Sequence, residues 1–388
     1  MEKTKVYSRD VVLVMSASFF FMFSTMFVTP LMNGYARSLG AGPTLAGVIV
    51  GIMSIAAMFL RPVAGNLTDR FSKYGLSFIG GIFILVGVLG YVITPNSQLL
   101  LVFRLINGTG YVLDTVCMTT WLAYLVPREH VGEAMGFYGL MNALAMAIGP
   151  AISINIYQKV GFRVAMLFSA VAALLMVVMI QFVGQKGQPI SAAHHKQSFK
   201  IIQWDALPVA ILITLFALPY FATQADIVTY VAQRRLDVAV GAYFLIYAVI
   251  LLVLRIVLKN LFDTVKFGWW LLASTVAMVF YLIMLAMMHN NWQMALGAAG
   301  MAVGYGIIYS VLQSTALLLA PLNEQGLASS TFYLGLDIAM SLGPIMGGII
   351  DSALPVRWYY PVMMLLVPII IIVYLFYHRS LDGAIHNH

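Results

Sequence analysis

Long apolar runs, broken by short polar or Pro/Gly/Asn-rich stretches, follow one another along the whole chain. Each run is long enough for a helix of about 20 residues to cross a bilayer core of about 30 Å. The pattern predicts twelve membrane-spanning helices, numbered here as spans 1 to 12. They are expected at residues 11–35, 43–67, 74–94, 98–126, 133–157, 162–183, 206–232, 239–262, 268–288, 293–320, 327–350 and 355–377.

Composition supports a membrane protein and excludes a soluble one. Hydrophobic residues make up 62% of the chain and charged residues 9%, against roughly 45–50% and about 25% in soluble domains. The apolar runs are continuous and of helix length, whereas barrel strands would alternate over about ten residues. The expected fold class is therefore an all-α membrane protein whose main partner is the lipid bilayer.

The polar stretch near the middle of the chain predicts a division into two halves. We expect a six-span bundle over residues 1–183, a linker over 184–205 and a second six-span bundle over 206–388. His194 and His195 lie in this linker, where such a pair is more typical of solvated chain than of a metal site. We therefore expect no metal and no cofactor.

The distribution of basic residues predicts the orientation. Loops on the side of the N-terminus carry twelve Lys and Arg residues and the opposite loops carry six. Basic residues accumulate on the cytoplasmic side of membrane proteins, so both termini and the linker are expected inside. The excess of Lys and Arg that gives the net charge of +7 is thus explained by the orientation of the protein in the membrane. We therefore expect no nucleic-acid partner.

An internal repeat appears when the sequence is shifted by 194 residues. Polar, Gly and Pro positions coincide at this one offset: Arg61 with Arg255, Asn66 with Asn260, Leu67 with Leu261, Asp69 with Asp263, Pro127 with Pro321, Gly132 with Gly326, Ala134 with Ala328, and Gly149-Pro150 with Gly343-Pro344. Hydrophobic composition alone does not produce such coincidences. The halves are predicted to be parallel repeats, as in transporters that rock two bundles about a central site.

The segment Arg61–Gly75, RPVAGNLTDRFSKYG, resembles the G-x-L-x-D-R-x-G-R-[KR] loop signature of the major facilitator superfamily. Ser72 and Tyr74 depart from the usual glycine and basic residue. The resemblance implies twelve helices in two pseudo-symmetric six-helix bundles and a conformational latch at the cytoplasmic ends of the helices. The expected latch residues are Gly65, Asp69, Arg70 and Lys73, with the repeat-equivalent Arg61 and Arg255. For these two arginines, snorkelling to the membrane surface is an alternative to the latch, and substrate binding is less favoured.

Further motifs extend the resemblance over the chain. Arg104, Gly108 and Gly110 match an R-x-x-x-G-x-G pattern that the family associates with proton coupling. Gly136 with Gly149-Pro150 resembles part of the span-5 motif of drug/proton antiporters, although Ala145 and Ser153-Ile154 replace three of its glycines. GPIMGG, residues 343–348, repeats the end of this motif in span 11.

Ionisable residues inside the predicted spans are candidates for proton coupling, because a charge there costs about 2.5–3.5 kcal/mol. Asp114 lies near the middle of span 4, on a stripe with Arg104, Asn107, Tyr111 and Met118. We expect this carboxyl to carry a proton; the alternative is a neutral packing group. For Asp337 in span 11, two interpretations are equally favoured: a role in proton-linked switching and a hydrogen bond between helices.

The resemblance implies that spans 1, 4, 7 and 10 line a central cavity. Expected substrate-binding residues are therefore Asn107, Tyr111, Met118, Phe23, Phe27, Tyr220, Gln224, Asp226, Tyr305, Tyr309 and Gln313. For the aromatic residues, packing or lipid contact is an equal alternative. For Asp226, a solvated carboxylate at the membrane interface is favoured over contact with a cation at the outer gate. An aromatic cavity with carboxyl groups suits amphipathic or cationic organic molecules.

The leading hypothesis is a proton-coupled transporter that works by alternating access and exports small amphipathic or cationic compounds in exchange for protons. The alternative is a proton symporter that imports a sugar, nucleoside or other polar metabolite. The sequence contains no metalloprotease, hydrolase or phosphate-loop motif, so we do not expect an enzyme. The protein is expected to work as a monomer in a cell membrane, the cytoplasmic membrane of a bacterium.

Overall fold

The computed structural model describes residues 7–189 and 199–386, and within these two ranges the regular structure is entirely helical. Twelve helices are long and apolar enough to cross a membrane, which confirms the number of spans. Their bounds, in order, are Arg9–Ser38, Leu45–Arg70, Lys73–Ile93, Ser97–Leu125, Arg128–Pro150, Ile152–Gln181, Trp204–Gln233, Val240–Val257, Phe267–Ala286, Asn291–Leu319, Leu322–Ala353 and Val356–Ala384.

The boundaries differ from the predicted ones where polar residues continue a helix. Span 12 reaches Ala384 rather than residue 377, because helical backbone continues through the polar residues His378, Arg379 and Asp382. The helical stretch Val131–Gln181, which contains most of span 5 and all of span 6, is interrupted at Gly161, inside the bounds of span 6, with φ of 78° and ψ of 174°. Glycine adopts this left-handed φ without steric cost, so the chain turns there.

Both described ends of the linker are hydrogen-bonded to helix ends. The amides of Gly184 and Gln185 donate to the Asp10 carboxylate at 3.0 and 2.8 Å. The Asn66 side chain accepts the Lys200 N–H at 3.2 Å and donates to the Lys200 carbonyl at 2.6 Å. His194 and His195 of the linker lie outside the described residues.

The chain forms two compact units that exchange short segments. The first contains Met1–Pro127, Phe137–Gln203 and Pro321–Ser330. The second contains Arg128–Gly136, Trp204–Ala320 and Thr331–His388. The exchanged segments are the first turns of spans 5 and 11, which are equivalent in the repeat of 194 residues.

Span 10 departs from α-helical geometry over Ala302–Ile307, which is wound as a π-helix. Such wide turns are rare and are found frequently at functional sites. The equivalent residues of span 4, Gly108–Leu113, lie within a regular α-helix. The two repeats therefore differ in helix winding at these equivalent positions.

Candidate functional site

Asp69, at the end of span 2, caps the beginning of span 11 within the first unit. Its two carboxylate oxygens accept the backbone N–H groups of Gly326 at 2.6 Å and Leu327 at 2.9 Å. These amides belong to the first turn of a helix, where N–H groups have no partner inside the helix. A negative charge is stabilised there by the partial positive charge of the helix end.

Asp263 makes the equivalent cap in the second unit, at the beginning of span 5. Its oxygens accept the Glu133 N–H at 3.1 and 3.0 Å. Burial raises the pKa of Asp263 to about 6, and the amide donors of Glu133 and Gly132 only partly offset this rise. Residues 69 and 263, like 132–133 and 326–327, are related by the offset of 194, so the two caps are repeats of one another.

Close packing at the Asp69 cap depends on a glycine. A Cβ at Gly65 would lie 2.7 Å from Cβ of Ser330 and 2.9 Å from Cα of Leu327. No side chain fits at this distance, so Gly65 is what allows span 2 to approach the beginning of span 11.

The remaining latch candidates divide into buried and exposed groups. Arg61 is fully buried and donates to the Thr115 hydroxyl, while its own carbonyl accepts from Ser330 Oγ at 2.5 Å. Arg255 is buried and donates to the carbonyls of Gly136 at 3.0 Å and Gly306 at 2.9 Å. Lys73 is buried and its backbone N–H donates to the Gly187 carbonyl at 2.9 Å, whereas Arg70 is exposed.

Asp114 is completely buried in span 4, and neither of its carboxyl oxygens has a hydrogen-bond partner among the described residues. A Cβ at Gly80 of span 3 would lie 2.8 Å from both oxygens. The carboxyl therefore rests against the backbone of span 3. An ionised carboxylate without donors is very unfavourable in such a place, which favours the protonated form.

The other members of the predicted stripe face different neighbours. Asn107 also faces span 3, where its side-chain amide donates to the Ile84 carbonyl at 3.3 Å. The Tyr111 ring contacts Phe21 of span 1 at 5.8 Å and the Arg61 guanidinium at 5.7 Å, measured to ring centroids. Arg104 and Met118 are buried, and Nε and Nη1 of Arg104 have no partner among the described residues.

In the second unit, the predicted tyrosines of spans 7 and 10 form a connected aromatic cluster. Tyr220 and Tyr305 stack with ring centroids 4.2 Å apart. Tyr247 of span 8 extends the cluster at 5.8 Å from Tyr220, and Tyr309 lies 5.4 Å from Phe332 of span 11. Tyr305 belongs to the π-helical segment, whose Gly306 carbonyl is bound by Arg255.

The last candidates are placed as follows. Gln313 is buried and donates to the Tyr333 hydroxyl at 2.9 Å, and Asp337 is buried. Asp226 is half-buried and accepts from the Tyr359 hydroxyl at 2.7 Å, while Gln224 is exposed. In the first unit, Phe23 is half-buried, and Phe27 is buried against Phe168 of span 6, with ring centroids 6.5 Å apart.

A group of possible metal ligands lies beside the Asp263 cap. Ligand atoms of His130, Glu133 and Asp263 lie within 4.8 Å of one another. However, both Asp263 oxygens already accept the backbone N–H of Glu133. The partial positive charge of this N–H would repel a cation bound at the same oxygens. The arrangement is better explained as a helix cap.

Sequence reasoning did not include Asp263, Tyr247 or Phe332 among the site residues. The repeat offset already paired Asp263 with Asp69 and carried the signal for the second cap. Tyr247 and Phe332 lie in spans 8 and 11, which were not expected to line the cavity. Only the packing of the helices reveals that their rings join the cluster.

The described residues form twelve spanning helices in two repeats, and a carboxylate from each repeat caps a helix of the other. This arrangement defines a duplicated multi-pass membrane protein. The family model described as Major Facilitator Superfamily matches residues 14–288. The chain belongs to this superfamily, whose members are membrane transporters and not enzymes. This confirms the family and the fold class expected from the sequence.

Two relatives are named for drug resistance. The chain is 26% identical over 209 residues to the multi-drug resistance efflux pump PmrA of Streptococcus pneumoniae, a match that covers 51% of this chain and 52% of PmrA. The chain thus spans about half the length of this relative. It is 22% identical over 372 residues to the quinolone resistance protein NorA of Staphylococcus aureus, covering 91% of this chain and 93% of NorA.

Solved structures share the fold at low identity. The human organic anion transporter MFSD10 superposes with a TM-score of 0.79 at 12% identity, over 95% of this chain and 100% of the other. The transporter FucP, in an outward conformation, superposes with a TM-score of 0.76 at 15% identity, over 96% and 99%. The likeness supports the architecture and carries no assignment of substrate.

Proposed function

We propose that this protein is a proton-coupled transporter that exports small amphipathic or cationic organic compounds in exchange for protons by alternating access. The observation that carries the proposal is Asp114, a carboxyl buried in the middle of a spanning helix without a hydrogen-bond partner among the described residues. Such a group binds and releases a proton when its hydration changes. A uniporter or a channel has no use for it.

The substrate class rests on the aromatic cluster of the second unit. Tyr220 and Tyr305 stack at 4.2 Å, and Tyr309 meets Tyr305 edge to face at 6.2 Å. Aromatic rings of this kind attract organic cations and flat apolar molecules. The similarity to PmrA and NorA supports export, because both are named for drug resistance.

The second candidate is a proton symporter that imports a sugar, nucleoside or other polar metabolite. It is favoured by the incomplete antiporter motif of span 5, in which Ala145 and Ser153-Ile154 replace glycines. In either case we propose that the protein works as a monomer in the cytoplasmic membrane of a bacterium, with both termini inside, as the distribution of Lys and Arg indicates.

The test is uptake of ethidium into inside-out membrane vesicles whose interior is acidified. Wild-type protein should accumulate the dye, and Asp114→Asn should lose accumulation driven by the pH gradient while it retains exchange of labelled for unlabelled dye. Arg104→Lys should impair coupling less. The exposed Asp237→Asn is the matched control and should behave as wild type.

Two outcomes would overturn parts of this proposal. Full gradient-driven accumulation by Asp114→Asn would remove the carrier role from Asp114 and pass it to Asp337. No accumulation of a panel of organic cations, together with proton-driven uptake of a sugar or nucleoside into right-side-out vesicles, would replace export by symport.

A further inference from the structure

Spans 3 and 4 meet along a seam in which glycines replace side chains. A Cβ at Gly87 would lie 2.6 Å from Cβ of Asn107, and one at Gly110 would lie 2.5 Å from the Gly80 carbonyl oxygen. Gly90 likewise accommodates the ring of Phe103. Because backbone lies directly on neighbouring side chains, a displacement of a few tenths of an ångström breaks many contacts at once.

Asp114 occupies the middle of this seam. Its carboxyl lies on Gly80, with no solvent exposure and no hydrogen bond among the described residues. The Ser77 hydroxyl, one turn from Gly80 in span 3, is also buried without a partner there. No described group donates to either oxygen of Asp114 in the closed seam, so an ionised form would be very unfavourable unless the helices separate and admit water.

The charged groups of the neighbouring elements do not compensate Asp114. Arg61 of span 2 donates to the Thr115 hydroxyl, and Asp69 is engaged in its helix cap. Lys73 of span 3 lies about two turns from Gly80, and Arg104 lies about 15 Å from Asp114 along span 4. In span 4 itself, Cys117 is hydrogen-bonded to Thr68 of span 2 at 3.0 Å, and the Tyr111 ring faces spans 1 and 2.

The repeat shows that the seam does not require a carboxyl for packing. At the offset of 194 residues, Gly110 and Ile84 correspond to Gly304 and Met278. A Cβ at Gly110 would lie 2.9 Å from the backbone nitrogen of Ile84, and a Cβ at Gly304 would lie 2.9 Å from that of Met278. The same contact is therefore present in both repeats. Asp114 corresponds to Ile308, which is also completely buried. Span 10 contains no Asp or Glu, so the second repeat forms this glycine contact without a carboxyl. Packing of the glycines therefore does not account for Asp114.

We infer that Asp114 acts as a proton-operated control of the seam between spans 3 and 4, with Gly80 as its positioning residue, and does not bind the substrate directly. A protonated Asp114 keeps the seam closed, and loss of the proton opens it to water. Exchange is then coupled through a shift of span 3 against span 4. This inference rests on the proposed function and assigns the proton and the substrate to different places.

Cys117, the only cysteine of the chain, is a native reporter of seam opening. It is completely buried one turn from Asp114. The experiment measures the rate at which N-ethylmaleimide labels Cys117 in purified protein, in the wild type and in Asp114→Asn, at several pH values. The ratio of the two rates cancels the intrinsic pH dependence of the thiol.

The ratio of wild-type to Asp114→Asn labelling should be near one in acid and rise about threefold or more toward alkaline pH, as the seam opens locally. A negative charge beside Cys117 would by itself slow labelling, so a rise reports exposure. Gly80→Ala, which pushes the carboxyl away, should raise labelling at every pH. Gly51→Ala is its control, because a Cβ there would meet no other atom of the described residues within 4 Å.

A ratio that stays constant over the whole pH range overturns the inference, whatever the transport data show. Competition is the second measurement. If ethidium affinity falls tenfold for each unit of decreasing pH without levelling off, the dye and the proton share one site, and the inference is wrong. Levelling off at low pH is the expected result. Gradient-driven transport by Asp114→Asn, in contrast, would refute the proton-carrier role in the proposed function.

Discussion

The carboxylate of Asp69 accepts the amide proton of Gly326 at 2.6 Å, although 257 residues separate them in the chain. The same carboxylate also accepts the Leu327 N–H. The contact joins the end of one spanning helix to the beginning of another from the opposite half of the sequence. A transporter that changes conformation at this point must break both hydrogen bonds.

Replacing Asp69 tests the latch. Asp69→Asn retains one oxygen acceptor but removes the negative charge that faces the helix end, an interaction typically worth 0.3–1 kcal/mol and up to about 2 kcal/mol when partly buried. We expect a lower transport rate in proteoliposomes and little change of expression or Tm. The exposed Glu129→Gln should leave both quantities unchanged. Failure of Asp69→Asn to insert into the membrane would instead assign the loop a purely structural role.

The Asp263 cap predicts a pH-dependent stability. The pKa of Asp263 is about 6 in the folded protein and 3.8 as the ordinary value. Between these values the folded protein keeps a proton that the unfolded chain has released, so this carboxyl contributes less to the free energy of unfolding as the pH rises. Asp263→Asn removes the titration.

The Tm of the wild type minus the Tm of Asp263→Asn should therefore decrease from about pH 4 to about pH 6 and stay level above it. Thermal unfolding of the purified proteins in detergent measures this difference. Asp237→Asn, at an exposed position, should give a difference that does not change with pH. A difference that increases over the same interval would contradict the raised pKa.

Close packing of spans 3 and 4 predicts a strong effect of one methyl group. In Gly110→Ala the new Cβ would lie 2.5 Å from the Gly80 carbonyl oxygen and 2.8 Å from the Ile84 side chain. Such overpacking typically costs 1–3 kcal/mol, so Tm should fall by several degrees. Gly51→Ala adds the same methyl group at a position where no neighbouring element in the described part of the chain lies within 4 Å. Equal Tm values for the two variants would show that the seam yields easily.

Arg255 is expected to stabilise the wide turn of span 10. Arg255→Lys keeps the charge, but a single ammonium group cannot reproduce the fork that binds the carbonyls of Gly136 and Gly306. A buried carbonyl left without its donor costs about 1–3 kcal/mol, which lowers Tm. The exposed Arg357→Lys should have no effect. An unchanged Tm of Arg255→Lys would mean that the π-helical turn is stable without the hydrogen bonds of the Arg255 guanidinium.

The stacked tyrosines predict a distinction between two substitutions of Tyr305. Tyr305→Ala removes a ring that stacks on Tyr220 and should weaken ethidium binding about tenfold, while Tyr305→Phe preserves the ring face. Fluorescence titration of purified protein gives both Kd values. Tyr377→Ala, on the exposed surface of span 12, is the control. Wild-type affinity of Tyr305→Ala would exclude this cluster from the binding site.

The number of spans and the repeat could be predicted from the sequence because both depend on patterns along one chain. The direction of side chains around span 4 could not. At about 100° per residue, Arg104, Asn107, Tyr111, Asp114 and Met118 cover an arc of about 80°. Asn107 and Asp114 lie at one edge of this arc and face span 3, whereas Tyr111 faces spans 1 and 2. Only the positions of the neighbouring helices decide where each edge points.

The π-helical turn of span 10 changes the rotational phase of everything that follows it. A residue of a π-helix turns the chain by about 80° instead of about 100°, so six residues put the rest of the helix roughly 120° out of phase. Downstream, Thr119 of span 4 meets Ser329, whereas its counterpart Gln313 meets Tyr333. The repeat remains free of gaps from Arg61 to Pro150, so no insertion made the halves unequal. A local change in winding is enough to aim equivalent helix faces in different directions.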